Sequence, residues 1–158
     1  MRRFESSFGA ISADRRTVTQ SLDQYNTPST GIGARAEIRP SLGSAGELRL
    51  GAEWRRTTGE TRELFTFVAG APTRLRRAGG ASATLGAFAE ASFQASPDLL
   101  LTGGGRVDHW RLSNGRLRET VLATGAQVTS ASFDDRSGWE GTGRVGFAWD
   151  AAGLRQLR

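Results

Sequence analysis

The chain carries few of the residues from which enzymes build catalytic or metal centres. Its 158 residues include one His and no Cys, so neither a thiolate zinc site nor a His-rich metal centre is available. Asp108 immediately precedes His109, and a carboxylate beside an imidazole could orient it as a general base. If this segment is a strand, however, the two side chains point to opposite faces and cannot act together. The sequence therefore predicts no catalytic residue, no metal and no other cofactor.

Three consecutive glycines, Gly103 to Gly105, raise the question of a phosphate-binding loop. Such a loop joins a strand to a helix and commonly carries a Lys, whereas these glycines lie inside an alternating pattern and the chain has no Lys. Glycine here instead indicates strand curvature or close approach of another segment.

The basic residues are all Arg, and the formal net charge is +5. A nucleic-acid-binding protein gathers such charge on one face, loop or tail. Here the arginines are spread along the chain and interleaved with Glu and Asp, as in residues 46–63. The distribution argues against a nucleic acid as partner.

The elements that position these charges follow a two-residue repeat, which is typical of β-strands. In residues 47–55, the apolar Leu48, Leu50, Ala52 and Trp54 alternate with Glu47, Arg49, Gly51, Glu53 and Arg55. The same alternation appears in residues 31–42, 81–95, 99–110 and 139–150. Phe88 is an exception, because it falls on the polar face of its segment.

The segment 139–150 has the length of a membrane crossing. At about 3.3 Å per residue, Trp139 and Trp149 lie roughly 33 Å apart along a strand, which a tilt near 40° reduces to about 25 Å along the membrane normal. This is the height of the apolar band of an outer-membrane barrel, with an aromatic residue at each edge. No window of about 18 apolar residues occurs, so a transmembrane helix is not expected.

The connections alternate in length. Residues 42–46, 96–98 and 150–153 are short and turn-like, whereas 57–78 and 111–138 are long, polar and less periodic. Short periplasmic turns and long outer loops are typical of outer-membrane barrels. An earlier strand at about 2–20, followed by a loop at 23–30, completes a series of about six strands. A seventh is expected to begin near Leu154.

A soluble β-sandwich or lipocalin-like barrel also alternates. The expected strands, however, run to about 10 to 15 residues rather than the usual 5 or 6, and Ala87, Ala89 and Ala91 would fill a soluble core poorly. The sequence therefore favours an all-β fold, an antiparallel up-and-down meander of about six to seven long strands that forms part of a transmembrane β-barrel.

Several segments resemble TonB-dependent receptors of the bacterial outer membrane. The segment LTGGGRVDHW at 101–110 resembles a barrel strand of this family, and GAFAEASFQASPDLLLTGG resembles the strand and turn before it. The segments ELRLGAEWRRTTGE at 47–60 and GRVGFAWDAAGLRQLR at 143–158 resemble further strands. The start lacks the apolar core of a signal peptide, and the end lacks a terminal aromatic residue. We therefore expect residues 1–158 to be an internal portion of a receptor barrel domain, without plug or barrel C-terminus.

The resemblance implies a barrel of about 22 strands with a plugged lumen. It implies active import of a scarce solute such as a ferric siderophore or cobalamin, driven through TonB by way of an N-terminal region that is absent here. The implied partners are the plug domain, TonB, a small-molecule solute, and the lipid and lipopolysaccharide of the bacterial outer membrane. The alternatives are a passive porin-like or structural barrel and a soluble β-rich binding module.

In this interpretation the charged positions line the lumen wall and the aromatic positions meet the membrane interface. The wall residues are Arg35, Glu37, Arg39, Glu47, Arg49, Glu53, Arg55, Glu90, Arg106, Asp108 and Arg144. The favoured interpretation is that these charges pair with one another across strands, because opposite charges on neighbouring strands suit mutual pairing. The interface residues are Trp54, Trp139, Phe147 and Trp149. Arg74, Arg76 and Arg77 in the predicted loop 57–78 are candidate contacts for an anionic solute, or else a solvated basic loop.

Overall fold

The computed structural model of the chain describes residues 5–43 and 46–150. These residues form eight strands: β1 (Ser6–Ile11), β2 (Val18–Asn26), β3 (Ser29–Ile38), β4 (Gly46–Val68), β5 (Ala71–Ser96), β6 (Leu99–Val121), β7 (Gln127–Phe133) and β8 (Arg136–Trp149). They build one antiparallel sheet, so the predicted all-β fold and partial β-barrel are confirmed.

Eight strands occupy six strand positions, because two of the positions are interrupted. β2 and β3 both pair with β4, and β7 and β8 both pair with β6. The first interruption is at Thr27–Pro28, where proline has no N–H to donate to a ladder; the Pro28 carbonyl still accepts the Glu60 amide at 3.0 Å. The second is at Asp134–Asp135. The predicted number of about six strand positions agrees with this sheet.

The prediction of long loops at 57–78 and 111–138 was wrong. β4 and β5 extend through 57–78 and are joined by a two-residue turn at Ala69 and Gly70, whose φ angles are 50° and 80°. Positive φ at both central residues is typical of the hairpin turn that matches strand twist. Residues 111–138 likewise contain the end of β6, β7 and the start of β8. Both segments mix polar and apolar residues on each face, which obscures the alternation.

The N-terminal region also differs from expectation. Residues 2–20 were predicted as one strand, but β1 and β2 are separated by a turn in which the Ser12 amide donates to the Thr17 carbonyl at 2.9 Å. The Asp14 carboxylate accepts bonds from the Ser12 hydroxyl and the Arg16 amide in this turn. The short link at 96–98 is confirmed, since β5 ends at Ser96 and β6 begins at Leu99. The seventh strand expected near Leu154 lies outside the described residues.

The contacts divide the chain into two compact units. Unit 1 comprises the described parts of 1–32, 56–83 and 111–137, and unit 2 those of 33–55, 84–110 and 138–158. Within the described ranges no apolar side chain is buried, so neither unit has a conventional hydrophobic core. No helix among these residues is long and apolar enough to cross a membrane.

Candidate functional site

In unit 2 the predicted wall residues meet on one face of the sheet. The Arg49 guanidinium donates to both carboxylate oxygens of Glu37, at 2.7 and 2.9 Å, and to Glu90 at 3.1 Å. Arg144 on β8 donates to the other oxygen of Glu90 at 2.7 Å. Arg35 and Arg39 also bind Glu37, at 2.9 and 3.0 Å. The result is a continuous ion network across the strands, which we call the Arg49 network.

A second network is centred on Arg106. Its guanidinium forms a two-point ion pair with Asp108, at 2.6 and 2.7 Å, and reaches Glu53 on β4 at 3.5 Å. Arg55 binds Glu53 at 3.0 Å. Because β5 lies between β4 and β6, Arg106 must cross β5 to reach Glu53.

A glycine makes this crossing possible. Gly86 on β5 is buried, and a side chain placed there would collide with the ion pair of Arg106 and Asp108. Glycine provides the same kind of passage at Gly104 on β6, where an added Cβ would lie 3.1 Å from Glu90 Cγ. The ion pair of Glu90 with Arg144 spans β6, which lies between β5 and β8. The close approach expected at Gly103 to Gly105 was that of a plug domain and stays a prediction; the groups nearest to a Cβ at Gly104 belong to Ala89 and Glu90 on β5.

Phe88, the exception to the sequence alternation, lies within the polar face. The guanidinium carbons of Arg35 and Arg49 lie 5.1 and 5.7 Å from its ring centroid, within cation–π range. The ring also covers Gly51 on β4. The aromatic ring fits this polar-face position because it contacts two guanidinium groups and fills the space above a glycine.

Glu47 is the one predicted wall residue that forms no ion pair within the described part of the chain. The other ten residues of that set satisfy one another, as the charge-pairing interpretation expected. A contact of these residues with plug or solute stays a prediction.

The opposite face of unit 2 is apolar and exposed. Leu85 and Phe93, on β5 in the interior of the sheet, are 56% and 52% exposed. The predicted interface aromatics are exposed too: Trp54 38%, Trp139 73%, Phe147 76% and Trp149 70%. His109 packs on Trp139 with ring centroids 4.7 Å apart, while Asp108 binds Arg106 on the other face. The prediction that His109 and Asp108 cannot act together is confirmed.

In unit 1 the three candidate solute contacts lie on a strand and do not form one cluster. Arg76 on β5 binds Glu119 at 2.8 Å and Glu63 at 3.5 Å, and its guanidinium carbon lies 4.4 Å from the Phe65 ring centroid. Arg74 shares the face of Arg76, whereas Arg77 points to the opposite face by strand alternation. The description of these residues as loop contacts is therefore corrected.

The acids of unit 1 are held ionised by their partners. The hydrogen bond from Arg76 is the main cause of a lowered pKa at the Glu119 carboxyl. Desolvation opposes this effect, and the bond from the Thr129 hydroxyl supports it. The Arg62 guanidinium 2.8 Å from Glu60 is the main cause of a lowered pKa at that carboxyl, with Arg116 at 3.1 Å assisting. The sequence reasoning missed these pairs because it assigned their residues to loops.

The arrangement contains no chemistry beyond charge and shape. In the described ranges no group of three or more His, Asp or Glu residues is placed to hold a metal ion. The paired guanidinium and carboxylate groups can line a wall, fix strand register and attract or repel ions.

Long antiparallel strands with an exposed apolar face and a face of paired charges define the class of transmembrane β-barrel walls. Residues 2–158 match the model of the family described as "TonB dependent receptor-like, beta-barrel", and the chain belongs to this family. The resemblance seen in the sequence is thus confirmed. Members of the family are outer-membrane receptors and transporters, not enzymes.

Among solved structures, the ferric yersiniabactin uptake receptor FyuA from Yersinia pestis is similar to this chain, with a TM-score of 0.67 and 13% sequence identity. The match covers 94% of this chain and 22% of FyuA. At this identity the likeness shows the fold alone. No curated protein matches the sequence.

Proposed function

We propose that the chain forms part of the barrel wall of an outer-membrane active transporter. The solute is a scarce small molecule such as a ferric siderophore, and the energy is relayed through TonB. In this proposal residues 1–158 are one portion of the barrel domain. The same polypeptide supplies the plug, the remaining strands and the N-terminal region that contacts TonB.

The observation that carries the proposal is an inverted exposure pattern in unit 2. Leu85 on the apolar face is 56% exposed, whereas the Glu37 and Glu53 side chains on the polar face are 19% and 20% exposed. Burial of apolar surface is worth about 25 cal/mol per Å² in water, so a soluble protein would cover such a face. In a membrane, the acyl chains of the lipid cover this face and remove it from water. Unit 2 is therefore proposed as the membrane-embedded part.

The paired charges of the polar face support a structural barrel wall rather than a surface of unpaired charges that would conduct ions. Ten of the predicted wall residues pair with one another in the two networks, so their main effect is to hold neighbouring strands in register. Arg74 forms no ion pair within the described residues and acts electrostatically on Glu119 on the polar face of unit 1. We propose Arg74 as the contact for an anionic solute.

Uptake measurements test this proposal directly. The complete receptor is expressed in an outer-membrane host that lacks its own ferric-chelate receptors, and accumulation of labelled ferric chelates is measured with and without TonB. Saturable uptake that disappears without TonB is the expected result. TonB-independent conductance for many solutes would identify a passive porin-like barrel instead. Recovery of the protein from the soluble fraction would replace the proposal with a soluble β-rich module.

A further inference from the structure

One residue of β6 has no counterpart of its own on β5. Gly80 on β5 stands opposite both Asn114 and Gly115 of β6. A Cβ added to Gly80 would lie 3.2 Å from the Ser113 carbonyl oxygen and 3.5 Å from the Gly115 Cα. Asn114 has a φ angle of 56°, in the left-handed region that Asn adopts more readily than most residues. These are the features of a β-bulge, in which one strand carries an extra residue.

The Asp135 carboxylate holds this bulge. Its Oδ1 atom accepts the Asn114 amide at 3.1 Å, and its Oδ2 atom accepts the Arg111 guanidinium at 2.7 Å. Asp135 lies at the interruption between β7 and β8, so a side chain rather than a backbone carbonyl accepts the amide of the extra residue. One carboxylate therefore binds β6 at two points, one before the extra residue and one at it.

The bulge decides which side chain of β6 faces Arg76. Beyond Asn114, Glu119 on β6 binds Arg76 on β5 at 2.8 Å. If β6 continued through Asn114 as a regular strand, every later residue would move by one position and turn to the other face. Arg118 would then stand opposite Arg76, and Glu119 would point away from it. We call these two arrangements the observed register and the shifted register.

The two registers differ in charge. In the observed register Arg76 lies between two carboxylates, because it also binds Glu63 at 3.5 Å. In the shifted register Arg74, Arg76 and Arg118 would share one face without Glu119. Like charges opposite one another destabilise a sheet. The bulge therefore sets the balance of charge around Arg74.

We infer that Asp135 is a positioning residue that selects the register of β6. By holding the extra residue in a bulge, Asp135 keeps Glu119 on the face of Arg76 and turns Arg118 away. Such a device is needed here, because polar residues occupy both faces of 115–121 and register is weakly specified in such strands. The inference goes beyond the proposed function and does not depend on it, since register is measured without uptake.

The register is measured by cysteine cross-linking in the complete receptor, from which any other cysteine is removed. The Leu122 amide donates to the Thr73 carbonyl at 2.9 Å. This bond places Ala78 opposite Leu117 in the observed register, whereas Arg116 would take that place in the shifted register. Residues directly opposite on adjacent strands are close enough for a disulfide. The pair Ala78→Cys/Leu117→Cys therefore reports the observed register, and Ala78→Cys/Arg116→Cys reports the shifted one.

In the otherwise unmodified receptor the first pair should cross-link and the second should not. Loss of a hydrogen bond to a partly exposed charged group changes an equilibrium about tenfold. Asp135→Ala should therefore raise the ratio of shifted to observed cross-link about tenfold. Asp135→Asn keeps an oxygen that can accept the Asn114 amide and should raise the ratio less. The control is Asp134→Ala, which should leave the ratio unchanged, because Asp134 makes no hydrogen bond or ion pair within the described residues.

A receptor that lacks Asn114 gives a further test. Its β6 has no extra residue, so the observed cross-link should form equally well with and without the Asp135→Ala change. If Asp135→Ala alone prevents folding, removal of Asn114 should restore the fast-migrating folded form on unboiled gels.

Three results would each overturn the inference. They are an unchanged ratio in folded Asp135→Ala, an equal change in Asp134→Ala, and a register or fold that still depends on Asp135 after removal of Asn114. Failure of solute uptake in the unmodified receptor would count against the transport function only.

Discussion

The ring of Phe88 on β5 occupies the space that a side chain at Gly51 on β4 would need. This contact explains two features of the sequence together. One is an aromatic residue on a polar face, and the other is a glycine among alternating charged residues. The same ring receives Arg35 and Arg49, so the contact joins three strands at the centre of the Arg49 network.

This contact predicts that Gly51→Ala destabilises the barrel because the added methyl group must displace the Phe88 ring. We expect a cost of about 1–3 kcal/mol, as for other overpacked sites. The measurement is the temperature at which the folded receptor loses its fast migration on unboiled gels. In a Phe88→Leu background the same change should cost less. Gly141→Ala is the control, since nothing lies within 4 Å of a Cβ at that position. An unchanged cost in both backgrounds would contradict the contact.

Arg49 should matter more for stability than Arg39, although both bind Glu37. Arg49 makes two bonds to Glu37 and one to Glu90, whereas Arg39 makes one bond and is 72% exposed. Exposed single pairs contribute little to stability. We expect Arg49→Met to lower the melting temperature clearly and Arg39→Met to leave it almost unchanged. Equal effects of the two variants would show that the network is not cooperative.

The ion pair of Glu119 with Arg76 predicts how the stability of the receptor depends on pH. Its pKa in the folded state is lowered from the ordinary value of 4.5, chiefly by Arg76. Its contribution to stability is therefore complete above that ordinary value and is lost as the pH falls through the lower folded value. The melting temperature of the receptor should exceed that of Glu119→Gln by a constant margin from pH 7 to about 5.

Below that range the margin should shrink, because a protonated Glu119 resembles Gln. Glu5→Gln provides a comparison, since Glu5 forms no ion pair within the described residues and should show no such margin. A margin that grows on acidification would refute the ionised pair of Glu119 with Arg76.

The two faces of unit 2 predict different tryptophan environments. Trp139 and Trp149 are exposed on the apolar face, whereas Trp110 falls on the polar-face parity of β6 and its ring lies over Gly138. In vesicles with brominated acyl chains, fluorescence of receptor variants whose one tryptophan is Trp139 or Trp149 should be strongly quenched. A variant that retains Trp110 alone should be quenched much less. Equal quenching would remove the lipid-facing assignment.

Some errors of prediction have a common physical cause. Residues 57–78 were assigned to a loop because they are largely polar and follow no clear two-residue repeat. Alternation reveals a strand only where the two faces meet different surroundings. The structure shows β4 and β5 continuing through this segment, where each face mixes polar and apolar side chains. Hydrogen bonding to the neighbouring strand, which leaves no local signal, decides the conformation here.

The sequence by itself determined the all-β fold, the face on which each residue of 47–55, 81–95 and 139–150 lies, and the separation of Asp108 from His109. These properties are local, since consecutive side chains of a strand alternate whatever its neighbours are. The tertiary structure alone decided that Arg106 crosses Gly86 to reach Glu53, and that Arg144 reaches Glu90 across β6. Register joins residues far apart in the chain, so it follows from the pairing of whole strands and not from any single segment.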